Sequence, residues 1–186
     1  MALVTVYVRG PISGTITGRN KYCTFPYASD VCNGSGSNHG TYMSSSNPVD
    51  IGGSGNINLR VNYPNVLSIV TYVSLSCCSS SYEDNYRRMV TVELYGKSNG
   101  ACYMGSVRFG HVASPAVTNG TLYNLSSGTK LIGTVPSGNP GNCYTGAHSH
   151  MERSGGSVVA PCCGATVSSS TNIYKFTWDN GIACPT

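Results

Sequence analysis

The sequence predicts an all-β fold (or a β-rich α+β one) built on antiparallel sheet and stabilised by disulfides. Three observations lead there. Short runs rich in Val, Ile, Thr and Tyr recur along the chain, several alternating apolar with polar residues at the two-residue period of a strand. Clusters of turn-forming residues, among them CNGSGSN, IGGSGN, KSNG and PSGNPGN, separate those runs. Nine cysteines occur in 186 residues without a single CxxC pair, which favours a disulfide framework over a four-cysteine zinc site.

Seven runs read as strands: LVTVYV (3–8), VLSIVTYVSLS (66–76), MVTVELY (89–95), GSVRFGHV (105–112), KLIGTV (130–135), GSVVA (156–160) and NIYKFTW (172–178). The one helix candidate is SSYEDNYRRM (80–89), whose acidic residues come early and arginines late, as a helix dipole favours. It is short enough to be read equally as a turn within a loop. The length suits one domain able to bury a real core. A central unit spans 36–154, with an N-terminal elaboration at 1–35 and a C-terminal β extension at 155–186. Cysteines near both ends could staple these segments down. The CC pairs at 77–78 and 162–163 have unrelated flanks, so they mark no internal repeat.

Charged residues make up only 10% of the chain, and Ser, Thr, Gly, Asn and Tyr supply the polar surface instead. That balance suits an extracellular or virion-associated protein. The net charge of +4 comes from scattered residues rather than a basic run with interleaved aromatics, so no nucleic-acid partner is expected. No apolar run approaches the roughly 18 residues of a membrane span. The opening MALVTVYVRGPISG lacks the charged and apolar regions of a secretory signal. The expectation is a mature form, an unconventional export route, or release by lysis. An odd cysteine count leaves one thiol free or one bond between chains. GxSxG, HExxH and P-loop motifs are all missing.

GAHSHMER (146–153) holds two of the four histidines. On a strand, positions i and i+2 share a face, so His148 and His150 would project together, with Ser149 and Met151 behind them. Taken alone, such a pair could be a metal site, a pair of bases or two solvated strand histidines. Its surroundings are more specific. The stretch LSSGTKLIGTVPSGNPGNCYTGAHSHME (125–152) resembles the C-terminal signature of the lysostaphin-like zinc endopeptidases, which cleave peptide cross-links in bacterial peptidoglycan. Gly128, Ile132 and Gly133 resemble the family's G-x-x-I-G strand, with three residues rather than two before the isoleucine, and Thr145, Gly146, His148, His150 and Glu152 fit its T-G-x-H-x-H-x-E segment. VRFGHV (107–112) looks like the strand carrying a third histidine, His111, and NPVDIGG looks like the family's G-V-D-I-A, with Asp50 as its carboxylate.

The resemblance implies a lysostaphin-like peptidase core in which a groove over the sheet carries the metal site. His39, Asp50 and His150 would hold Zn2+, and His148 and His111 would flank its open position. Two nitrogens and one carboxylate oxygen leave a tetrahedral zinc open for water, whose pKa the metal lowers to about 7. His148 would act as general base, and His111 would stabilise the oxyanion or assist the leaving amine. Ten residues separate His39 from Asp50 where many members have three, Asp30 being the second-choice carboxylate. Ser149 stands at a usually apolar position and Met151 at a commonly aromatic one. Glu152 is expected to stabilise the strand or a neighbouring charge rather than to catalyse. The alternative is a catalytically degenerate relative serving as a structural, assembly or wall-binding subunit, with self-association or virion partners.

Overall fold

The computed structural model describes residues 3–19, 48–62, 68–75, 88–97, 99–136, 146–161 and 164–179. The described residues form strands and turns with no helix, so the all-β class holds. None of them forms a helix long and apolar enough to cross a membrane. The strands are β1 (Leu3–Arg9), β2 (Gly14–Arg19), β3 (Val49–Gly52), β4 (Asn56–Arg60), β5 (Ser68–Leu75), β6 (Arg88–Tyr95), β7 (Tyr103–Val112), β8 (Thr121–Asn124), β9 (Thr129–Thr134), β10 (His148–Ser154), β11 (Ser157–Val158), β12 (Thr166–Val167) and β13 (Asn172–Asp179). Arg88 and Met89, the last two residues of the helix candidate, are strand, and 80–87 lie outside the described residues.

Eight strands form one sheet in the order β12-β2-β3-β10-β7-β6-β5-β8, beside a three-stranded sheet β1-β13-β11 and a β4-β9 pair. The assigned strand pairings are antiparallel. The β1–β13 ladder runs from Leu3 opposite Asp179 to Arg9 opposite Asn172, joining two sequence-distant segments. From there the chain turns and gives β2 to the large sheet, against β3. Arg60 fastens that turn, its Nη1 donating to the carbonyls of Gly10 at 2.6 Å and Pro11 at 2.7 Å.

Strand alternation decides what is buried. Along β6, Val90, Val92 and Leu94 are fully buried while Thr91, Glu93 and Tyr95 are half-buried on the opposite face. Phe109, Ile51 and Met151 continue the inner face on β7, β3 and β10. Each such side chain contributes about 1.5–3 kcal/mol of apolar burial. Phe176 of β13 lies where a Cβ on Gly105 of β7 would sit, only 2.7 Å away, so the lack of a side chain there lets the small sheet seat on the large one. The Tyr174 hydroxyl donates to the Met151 carbonyl at 3.0 Å, tying β13 to β10. Beside β7, Ala113 and Thr134 exchange backbone bonds of 2.9 and 2.8 Å, which seats β9 on the core. The core therefore lies behind one face of the large sheet, and the histidine-bearing strand sits in that sheet's middle.

Ser149 is fully buried on the core side of β10, and its hydroxyl has no hydrogen-bond partner. An unsatisfied buried hydroxyl carries a desolvation cost of about 1–3 kcal/mol. Ser149→Ala is therefore expected to raise the unfolding free energy by about 1 kcal/mol. Urea titration checks this, and a lower midpoint in the variant would show that the hydroxyl has a partner in solution. Cys102, also buried, is disulfide-bonded; the other eight cysteines lie outside the described residues.

Candidate functional site

Register builds the site. Asp50 of β3 lies opposite His150 of β10, and His150 lies opposite Gly110 of β7. On the far side Asp50 lies opposite Gly18 of β2. These four positions make one row across four adjacent strands, two ionisable side chains flanked by two glycines. A side chain at either glycine would crowd its neighbour in the row. A Cβ at Gly18 would approach Asp50 Oδ2 to 2.5 Å, and one at Gly110 would meet His150 Cδ2 at 3.0 Å.

A break in strand register accompanies each end of that row. On β7, Gly110 and His111 together span the interval that Met89 alone occupies on β6, and His111 has a φ of 54°. Phe109 and Val112 are both fully buried, so strict alternation fails between them. Unbroken alternation would turn His111 to the Phe109 side, into the core. The bulge frees it from that direction, and its ring stands 5.0 Å from that of His148 and 5.7 Å from that of His150, edge to face. A left-handed conformation costs a non-glycine residue about 1–3 kcal/mol, which the surrounding ladder must sustain. On β2 a second irregularity falls between Ile16 and Gly18 and brings Gly18 opposite Asp50.

His150 is nearly buried, and both its ring nitrogens meet carboxylates. Nδ1 lies 2.8 Å from Asp50 Oδ1 and Nε2 lies 2.9 Å from Glu152 Oε1. Burial pulls the imidazole's pKa down, but hydrogen bonds to Asp50 and Glu152, with their charges, outweigh it and raise the pKa to about 9. Both carboxylates thus favour the protonated ring. Glu152 is 5% exposed and reaches Arg108 of β7, whose Nη1 lies 3.8 Å from its Oε2. His148 stands nearer solvent. Its Nδ1 is 3.0 Å from the Gly146 carbonyl and its Nε2 is 3.8 Å from Asp50 Oδ1.

Four of the five site residues expected from sequence, Asp50, His111, His148 and His150, come together, and Ser149 and Met151 lie buried behind them. His39, the third expected ligand, and Asp30 lie outside the described residues. Among the described residues no three His, Cys, Asp or Glu side chains are grouped as metal ligands. Asp50 and His150 are of the residue types zinc takes; their Oδ1 and Nδ1 atoms are hydrogen-bonded at 2.8 Å and would have to part to the roughly 3.3 Å that separates two ligand atoms on a tetrahedral zinc with bonds near 2.0 Å. The spacing rules did not single out Gly18 and Gly110; the only signal for Gly110 was its place beside His111 in VRFGHV. Compared with family models, curated proteins and solved structures, the chain matches none.

Gly18→Ala is expected to push the Asp50 carboxylate off His150, costing about 1–3 kcal/mol of stability as an overpacked site does. On the zinc reading expected from the sequence, it should weaken zinc binding as well. Thermal unfolding and a chelator competition check it, and unchanged values for both would show that the carboxylate has room to spare.

Proposed function

We propose that the protein is a zinc-dependent endopeptidase that hydrolyses peptide cross-links of bacterial peptidoglycan. The observation that carries this reading is the convergence of Asp50, His111, His148 and His150 from three separate segments onto adjoining strands. Asp50 and His150, with His39, would hold the metal, and a groove over this face would receive the peptide. Bound zinc would supply Lewis acidity toward water and the scissile carbonyl. His148, beside Asp50 and closer to solvent, is suited to take a proton at Nε2. His111, edge-on to both other rings, is suited to donate to charge developing on the substrate. Disulfides from the remaining cysteines would reinforce the fold, and the low charge suits an extracellular or virion setting. The test is metal content together with hydrolysis of purified cell walls and glycine-rich peptides. Chelator-sensitive release of amines is expected; a folded protein that binds no zinc and releases none would end this reading.

One observation favours a second reading. Both nitrogens of His150 are already engaged by carboxylates, which makes a self-sufficient ionic cluster that needs no metal. A degenerate relative serving as a structural or wall-binding subunit of a virion or filament would keep such a cluster. Wall binding or self-association without zinc uptake would favour it.

A further inference from the structure

We infer that Glu152 is a positioning residue that sets the ring orientation and tautomer of His150, so that Nδ1 is the nitrogen offered to a metal; this rests on the zinc reading above. Glu152 lies two residues along β10 from His150, so the two share a face. A carboxylate so deeply buried is costly unless it is paired. Its Oε1 is 2.9 Å from His150 Nε2 and its Oε2 is 3.8 Å from Arg108 Nη1. Arg108 lies directly opposite Glu152 in the β7–β10 register, so the two strands hold the carboxylate in place.

The ring of a histidine turns about a broad, two-fold terminal torsion. A half-turn of His150 would swap Nδ1 with Cδ2 and Nε2 with Cε1, breaking the bonds to Asp50 and Glu152 together. It would also move Nδ1 to the Gly110 side, where the ring edge now packs at Cδ2. A ligating imidazole must be neutral, and its remaining N–H goes to whichever acceptor holds it. Glu152 accepts at Nε2, which leaves the Nδ1 lone pair facing Asp50. Asp50 alone cannot fix this, because it would itself be a ligand.

The experiment compares Glu152→Ala, Glu152→Gln and Glu152→Asp with the parent chain. Glutamine keeps the reach of an acceptor oxygen and loses the charge; aspartate keeps the charge and falls short. Zn2+ affinity is measured against a chromophoric chelator. Ring orientation is read in the metal-free protein from the nuclear Overhauser contact between His150 Hδ2 and Gly110 Hα. Glu152→Ala and Glu152→Asp are expected to weaken zinc binding by about 10- to 100-fold and to lose the ring contact. Glu152→Gln should retain the contact and most of the affinity. If aspartate preserves affinity and contact better than glutamine, Glu152 acts through charge, and the inference is overturned. Should alanine prevent folding, the glutamine–aspartate comparison still decides. If the parent chain binds no zinc, the functional reading fails by itself, and the ring contact alone still judges Glu152.

Discussion

On the proposed zinc-peptidase reading, replacing His150 with alanine is expected to remove zinc and peptidase activity together. His148→Ala should keep most of the zinc and lose turnover by about 10²- to 10⁴-fold, the usual worth of a general base. The two residues are neighbours on one strand, so the contrast depends on what each ring faces. His150 is enclosed between Asp50 and Glu152. His148 meets the Gly146 carbonyl and only approaches Asp50, at 3.8 Å. His150→Ala has a second consequence, because it leaves two largely buried carboxylates without the cation between them. Breaking a buried ionic group in this way costs about 3–5 kcal/mol. Zinc content must therefore be compared at a temperature where circular dichroism shows both variants folded. Equal zinc loss in the two variants would dissolve the division between ligand and base.

The strands that were legible in sequence are those with clean alternation or a long β-branched run. MVTVELY and NIYKFTW became β6 and β13 almost to the residue. The local pattern does not reveal β2, β3, β4, β8 and β12. GTITGR and NINLR carry Gly or Asn where a strand pattern expects β-branched residues, and their partners override that propensity. β2 matters most, since it sets Gly18 against Asp50 from within the segment read as an elaboration. A tertiary contact of this kind leaves no local trace: Gly18 looks like turn chemistry until a carboxylate is found in its space.

The grouping of Asp50, His111, His148 and His150 is legible because these residues fall in short motifs of fixed spacing. The two-residue rule placed His148 and His150 together, and it also put Ser149 and Met151 in the core. The same rule could not place His111. A strand histidine between Phe109 and Val112 belongs to the inner face by alternation, and only a backbone bulge at φ 54° releases it. Glu152, expected to stabilise the strand or a neighbouring charge, meets both His150 and Arg108. Local spacing names residues on one strand; the direction a ring is held depends on what lies across the ladder.

Metal-free protein is expected to lose stability as pH rises from neutral into the alkaline range, and His150 is the reason. Its pKa is about 9 in the folded state, against 6.5 for an unperturbed imidazole. Below the unfolded value, folded and unfolded states both carry the proton, and the pairing with Asp50 and Glu152 contributes in full. Above it the unfolded chain sheds the proton while the folded chain keeps it, so each further pH unit erodes the contribution until the folded group titrates. A displacement of this size corresponds to on the order of 3 kcal/mol, lost between about pH 6.5 and 9. Tyrosines and lysines titrate toward the same end, so the measurement is a difference. Urea unfolding in the presence of chelator, at about pH 6 and about pH 9.5, is compared between the parent chain and His150→Gln. The parent should lose most of its advantage over the variant across that interval. Parallel stability curves would mean that the imidazole is already neutral between its carboxylates, with one of them carrying the proton instead.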